Sequence, residues 1–194
     1  MRKLVLASAS ALALGAGAAI AATDGPGPNL VIEVADASGQ SKGTITLDLF
    51  PDVAPKHVER LVTLAREGAY DGVVFHRVIE GFMAQTGDVQ FGRMGDDLSR
   101  AGMGGSDKGN LPAEFSDRPF EAGTVGMARS QSRDSANSQF FIDLAPAPSL
   151  NGQYTVVGQL IEGWEVLEAI KKGDGNQNGK VEAPDYMLKV TVVE

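Results

Sequence analysis

Period-two alternation marks both ends of the chain. In "NLVIEVAD" and "GTITLDLF" apolar residues take every second position, so that Ile45, Leu47 and Leu49 share one face while Thr44, Thr46 and Asp48 share the other. The last residues repeat the arrangement, with Leu188, Val190 and Val192 set against Lys189, Thr191 and Val193. Successive side chains of a strand point to opposite faces, so each stretch predicts a half-buried antiparallel strand. Two terminal strands predict a sheet that closes on itself.

Helical spacing appears twice. Across residues 54–68, Ala54, Val58, Leu61, Val62 and Ala65 form one stripe, Pro55 suits a first turn and Gly68 a stop. In "EGWEVLEAIKKG" a second stripe of Val166, Leu167 and Ile170 ends in two lysines and Gly173, with Trp164 as a core anchor. Between the helices lie "VVFHRVI", "FMAQTGD", "GTVGMAR", "SQFFIDL" and "TVVGQL", strand-like runs separated by Gly, Asn, Asp and Pro. Many short strands with only two helices predict an antiparallel barrel capped by helices. The glycine-rich "VQFGRMGDDLSRAGMGGSDKGN" predicts a long surface loop.

Composition divides the chain before it assigns chemistry. Residues 1–22 carry Arg2 and Lys3, an uncharged Ala/Leu run and an A-x-A pattern at Ala19 and Ala21, which predicts a cleaved secretory signal peptide. A membrane anchor is the competing reading, and the Ala/Gly-rich run argues against it. Residues 23–28 read as a short linker and 29–194 as one domain. Arg2 and Lys3 are the only charges in the leader, so the formal charge of −8 becomes −10 on its removal. An acidic surface argues against nucleic acid and anionic membranes as partners. The chain has no cysteine, which removes disulfides, thiol catalysis, thiolate zinc sites and a lipid-modified cysteine anchor together. The predicted leader implies a mature protein in the periplasm or the medium, and nothing in the sequence suggests more than a monomer.

Two histidines limit ordinary acid–base catalysis. His57, beside Lys56 in the first helix, reads as solvated. His76 could serve a serine nucleophile with Asp88 or Asp143 behind it, but no G-x-S-x-G elbow is present. Gly102, Gly104, Gly105 and Gly109 do not match a phosphate loop. Asp174, Asn176, Asn178 and Gly179, with Asp185 further on, have the spacing of a calcium loop. Pro184, an aspartate in the closing position and a strand-like continuation favour an ordinary polar turn. The reading therefore calls for no cofactor and no metal.

Arg77 and Gln85 stand inside the otherwise apolar run "FHRVIEGFMAQTGD". Taken alone, the arginine suggests an ion pair with Glu80 or Asp88. That run and "GTVGMARSQSRDSANSQFFIDL" together resemble the two signature segments of the cyclophilin family of peptidyl-prolyl cis/trans isomerases, in the family's order. The resemblance implies an eight-stranded antiparallel barrel with two capping helices, in agreement with the periodicity. It implies isomerisation of X-Pro bonds in proline-containing polypeptides, with Arg77 catalytic alongside Phe82 and Gln85. Phe82, Met83, Phe141 and Leu150 would wall the proline pocket, and Gln139 would position polar groups. The main chain at Ala128 and Arg129 would pair with a bound peptide, with Tyr154 also at the substrate. A rival reading keeps the pocket as a holdase for proline segments without turnover.

The chain departs from the family's animal members at Ser149, where tryptophan is frequent, and at Tyr154, where histidine is frequent. The tryptophan is associated with tight cyclosporin binding, so weak inhibition by the drug is expected. Arg129 stands where asparagine is common.

Overall fold

The computed structural model describes residues 23–194, so the predicted signal peptide at 1–22 lies outside the described residues. Eight strands form one antiparallel sheet: β1 Asn29–Ala35, β2 Ser41–Leu49, β3 Arg77–Ile79, β4 Met83–Thr86, β5 Thr124–Met127, β6 Phe140–Asp143, β7 Val156–Glu162 and β8 Tyr186–Val193. Their spatial order is β3-β4-β6-β5-β7-β2-β1-β8. The sheet curls until its two edges approach. The residues before β3 meet the start of β8 through the bridge Val74↔Tyr186 and the hydrogen bonds Phe75 N–H to Asp185 O and Met187 N–H to Val73 O. The edges share a bridge in place of a full ladder, so the barrel is closed less completely than the sequence predicts.

The expected alternation fills the interior. Leu30, Ile32 and Val34 of β1 and Ile45, Leu47 and Leu49 of β2 are buried against Phe75, Phe140 and Ile142. In β8 the pattern slips: Glu33 faces Lys189 and Val34 faces Met187, so Leu188 is bypassed in a bulge. Met187 therefore occupies the core while Leu188 is 42% exposed, opposite to its predicted inward face. Asp48 also departs from its predicted outer face. The 23–28 segment lies across it, with the Gly25 N–H donating to its carboxylate at 3.1 Å, and only 1% of the residue is exposed.

Helix α1, Pro55–Arg66, rests on β8, and α2, Trp164–Ala169, rests on β2. Ala54 offers α1 no side-chain cap, and Glu114 supplies one from a distant loop, accepting the N–H groups of Lys56 and His57. The same carboxylate meets His57 Nδ1 at 2.7 Å. His57 is fully buried, contrary to its predicted solvation: it is held inward by a partner 57 residues away. Helix α2 ends before its predicted lysines because Ile170 turns extended into the core and the Lys171 N–H donates to Asp185.

Candidate functional site

Strands β4 and β6 carry the site because their two faces bury different things. Ala84, Phe140 and Ile142 join the barrel core, while Met83 and Phe141 point the other way into a second cluster with Phe120, Ala147 and Val156. Phe82, Leu150 and Tyr154 pack around that cluster. This settles an ambiguity of the sequence, since alternation alone does not separate residues lining a pocket from residues filling a barrel. Gly126 of β5 lies opposite Phe141, and a Cβ there would stand 2.5 Å from the Phe141 ring.

Arg77 sits directly across the ladder from Gln85. Its Nη1–H donates to Gln85 Oε1 at 3.2 Å, its Nε–H to the Asn178 carbonyl at 3.0 Å and its Nη2–H to Asn178 Oδ1 at 3.0 Å. No acid pairs with it among the described residues, so the ion pair with Glu80 or Asp88 is not formed. Nη1 also lies 3.8 Å from the Met83 sulfur, a weak acceptor. Partial burial lowers the guanidinium's pKa from its ordinary value, and an arginine keeps its charge at any ordinary pH.

A relay of amides continues from Gln85. Its Nε2–H donates to Gln139 Oε1 at 2.9 Å, and Gln139 in turn donates to the carbonyls of Gly102 and Gly104. The glycine-rich segment is thus tied down. Asp88, fully buried, accepts the N–H groups of Gln90, Phe91, Gly102 and Gly104 and fixes the loop from beneath. The supporting roles of Asp88 and Asn178 were missed: the sequence offered Asp88 as a partner for His76 or Arg77 and Asn178 as a calcium-loop position, where the one ties down the glycine loop and the other holds Arg77.

Arg77, Phe82, Met83, Gln85, Ala128, Arg129, Phe141, Leu150 and Tyr154 line one cavity of about 170 Å³. That is below the range of drug-sized pockets and suits a single ring. Gln139 lines an adjoining cavity of about 510 Å³ with the glycine loop, and Gln85, Ala128 and Arg129 border both. The residues implied by the family resemblance therefore fall in these two adjoining cavities. The Ala128 N–H donates to Gln139 O at 2.9 Å. A larger groove of about 900 Å³ runs beside Trp164, but none of the Arg77 cluster lines it.

His76 is buried with neither ring nitrogen hydrogen-bonded, and burial pushes its pKa down to about 4. With Asp88 engaged by the loop and Asp143 without a partner, no serine-type relay forms around it. Of the candidate calcium loop, Asp174 caps a short 3-10 turn, Gly175–Gln177. Asn178 holds Arg77, and Asp185 is ion-paired with Lys42 at 2.7 Å. The segment is a turn that serves the guanidinium.

The chain is similar to known proteins in sequence and in fold. Residues 31–192 match the family model described as cyclophilin type peptidyl-prolyl cis-trans isomerase/CLD. A probable peptidyl-prolyl cis-trans isomerase of Brucella suis is 59% identical over 152 residues, covering 77% of this chain and 78% of the relative. One from Helicobacter pylori is 41% identical over 138 residues, covering 69% and 78%. Among solved structures, a cyclophilin type isomerase of Cryptosporidium parvum, determined in the presence of the dipeptide Ala-Pro, superposes with a TM-score of 0.71 at 25% identity, covering 86% of this chain and 99% of the other. A cyclophilin from Hirschia baltica gives a TM-score of 0.69 at 24% identity, covering 87% and 74%. The chain belongs to the cyclophilin-type peptidyl-prolyl cis-trans isomerase family.

Proposed function

We propose that the peptidyl-prolyl isomerase activity of this chain resides in the cavity beside Arg77, and that Arg77 is the group that lowers the barrier. Rotation about an X-Pro bond faces about 18–20 kcal/mol because resonance shares the nitrogen lone pair with the carbonyl. In the twisted transition state that pair returns to the nitrogen, which becomes pyramidal and accepts a hydrogen bond that the planar ground state cannot. A fixed donor aimed at it stabilises the transition state selectively. No covalent step is needed.

One observation carries this reading. The guanidinium is pinned by Asn178 and Gln85, while one side of Nη1 faces only the Met83 sulfur on the cavity wall. A donor held still with a weak partner is available to a better one. Phe82, Met83, Phe141 and Leu150 would receive the proline ring and keep water from the hydrogen bond, strengthening it. The relative determined with Ala-Pro supports proline-containing segments as the ligand.

The leader-like residues 1–22 support a role in the periplasm or medium, acting as a monomer on exported chains whose proline steps take tens of seconds uncatalysed. N-terminal sequencing of the protein from the native host's cell fractions tests this; an intact leader on cytoplasmic protein defeats it. The activity itself is tested with an isomer-sensitive proline peptide. Arg77→Ala should lose about 10²–10³ in kcat/KM, the effect of removing one transition-state donor. Equal activity in the two proteins would end the role of Arg77.

A further inference from the structure

The site's charges are unlike the chain's. With 25 acids against 17 bases the protein is acidic, yet no acid lines either of the two adjoining cavities. The charged residues that line them are Arg77 and Arg129, and neither makes an ion pair among the described residues. Arg77 is engaged as described. Arg129 is the charge left over, and it borders both cavities.

Its position is fixed. The guanidinium lies over the Tyr154 ring at 4.4 Å from the centroid, with Nε and Nη2 donating to Gln153 O at 3.1 and 2.9 Å and Nη1 to Ser130 O at 2.9 Å. Tyr154 in turn meets Phe141 edge to face, 5.8 Å between centroids, so the cation is stacked on the wall of the small cavity. Carbonyls orient the fork without neutralising it. A half-buried, preorganised cation needs less ordering to meet a carboxylate than a free surface side chain does.

We infer that the site prefers proline-containing segments with a carboxylate close to the proline, and that Arg129 selects them. The inference rests on the proposed function of the cavity. An extended chain advances about 3.3–3.6 Å per residue, so a proline in the small cavity puts its neighbours within about two residues of a cation on that cavity's rim. The absence of acids from the lining removes the repulsion that the acidic protein would otherwise present there.

Matched peptides with Glu or Gln before, and after, the proline decide the matter in an isomer-sensitive assay at about 10 mM and 1 M salt. The expected result at low salt is a Glu/Gln ratio in kcat/KM of about two to five at one or both positions, the range of an exposed ion pair. The ratio should fall to about one at 1 M salt, where the screening length is about 3 Å. It should fall likewise in Arg129→Gln, whatever that variant's absolute rate, and persist in Arg129→Lys. A ratio of one in the unmodified protein at low salt, or a ratio unchanged in Arg129→Gln, overturns the inference. Calorimetric titration of the same peptides gives the ratio in Kd. If no peptide is isomerised, the proposed function fails while the binding ratio still decides the role of Arg129.

Discussion

Asn178 holds Arg77 by both its backbone and its side chain: the Nε–H donates to its carbonyl and the Nη2–H to its Oδ1, each at 3.0 Å. The two residues are 101 positions apart, and Asn178 adopts a left-handed conformation, φ 55°, that presents both oxygens to one guanidinium. The following Gly179 lets the turn approach β3, where a Cβ would fall 2.4 Å from Ile79. Asn178→Gly permits the same backbone conformation, keeps the carbonyl contact and removes the side-chain contact to Arg77. It should lower kcat/KM by up to about tenfold through kcat, with Tm little changed, as expected for one hydrogen bond to a charged group. An unchanged kcat would show that Arg77 is positioned without it.

Gly126 supports the pocket from behind. A Cβ there would meet the Phe141 ring at 2.5 Å and Phe120 at 2.7 Å. Gly126→Ala should displace Phe141 into the small cavity, raise KM and destabilise the fold by about 1–3 kcal/mol. Denaturant titration and peptide kinetics measure the two effects; a variant unaltered in both would mean that the ring yields freely.

Asp143 is fully buried with neither carboxylate oxygen hydrogen-bonded, and burial pushes its pKa up to about 8. Between the ordinary aspartate value of 3.8 and about 8 the folded chain binds the extra proton, so this residue's effect is a loss of stability as pH rises through that window. Asp143→Asn should therefore raise Tm at pH 8, with the gain shrinking toward pH 4. A gain independent of pH would contradict the burial argument.

Acid acts through His76 in the opposite sense. Its folded pKa of about 4 lies below the ordinary 6.5, so stability should fall as pH drops from 6.5 toward 4. His76→Gln should flatten the Tm profile in that range. A slope equal to that of the unmodified protein would assign the acid sensitivity elsewhere.

Ser149 lies exposed in the 3-10 turn Pro148–Leu150, next to the cavity wall at Leu150. Ser149→Trp should extend the apolar surface there and tighten cyclosporin inhibition. Nanomolar inhibition of the unmodified protein would remove the reason for the substitution.

Strands legible in the sequence were those whose hydrophobic period is set by one buried face, as in Ile45, Leu47 and Leu49. The same logic misplaced Leu188, because a bulge changes the face without changing the pattern. It also misplaced His57, whose burial depends on Glu114. The site residues were named through family resemblance; all of them but Gln139 line one cavity, and Gln139 lines the adjoining one. What holds them was not legible: Asn178 and Asp88 act across loops, where spacing carries no information about contact.

Strand β1 is paired on one side with β2 and on the other with β8, Asn29 facing Asp48 and Val193 alike. One partner follows within a few residues and the other lies far along the chain, at Tyr186–Val193. During synthesis β1 therefore keeps one open edge until β8 emerges, and the barrel wall at that seam waits for it. Contacts of such sequence separation slow folding, since loop closure is costly before they form. Removal of even a few residues of β8 should thus act first on β1, uncovering a ready template for another chain to join.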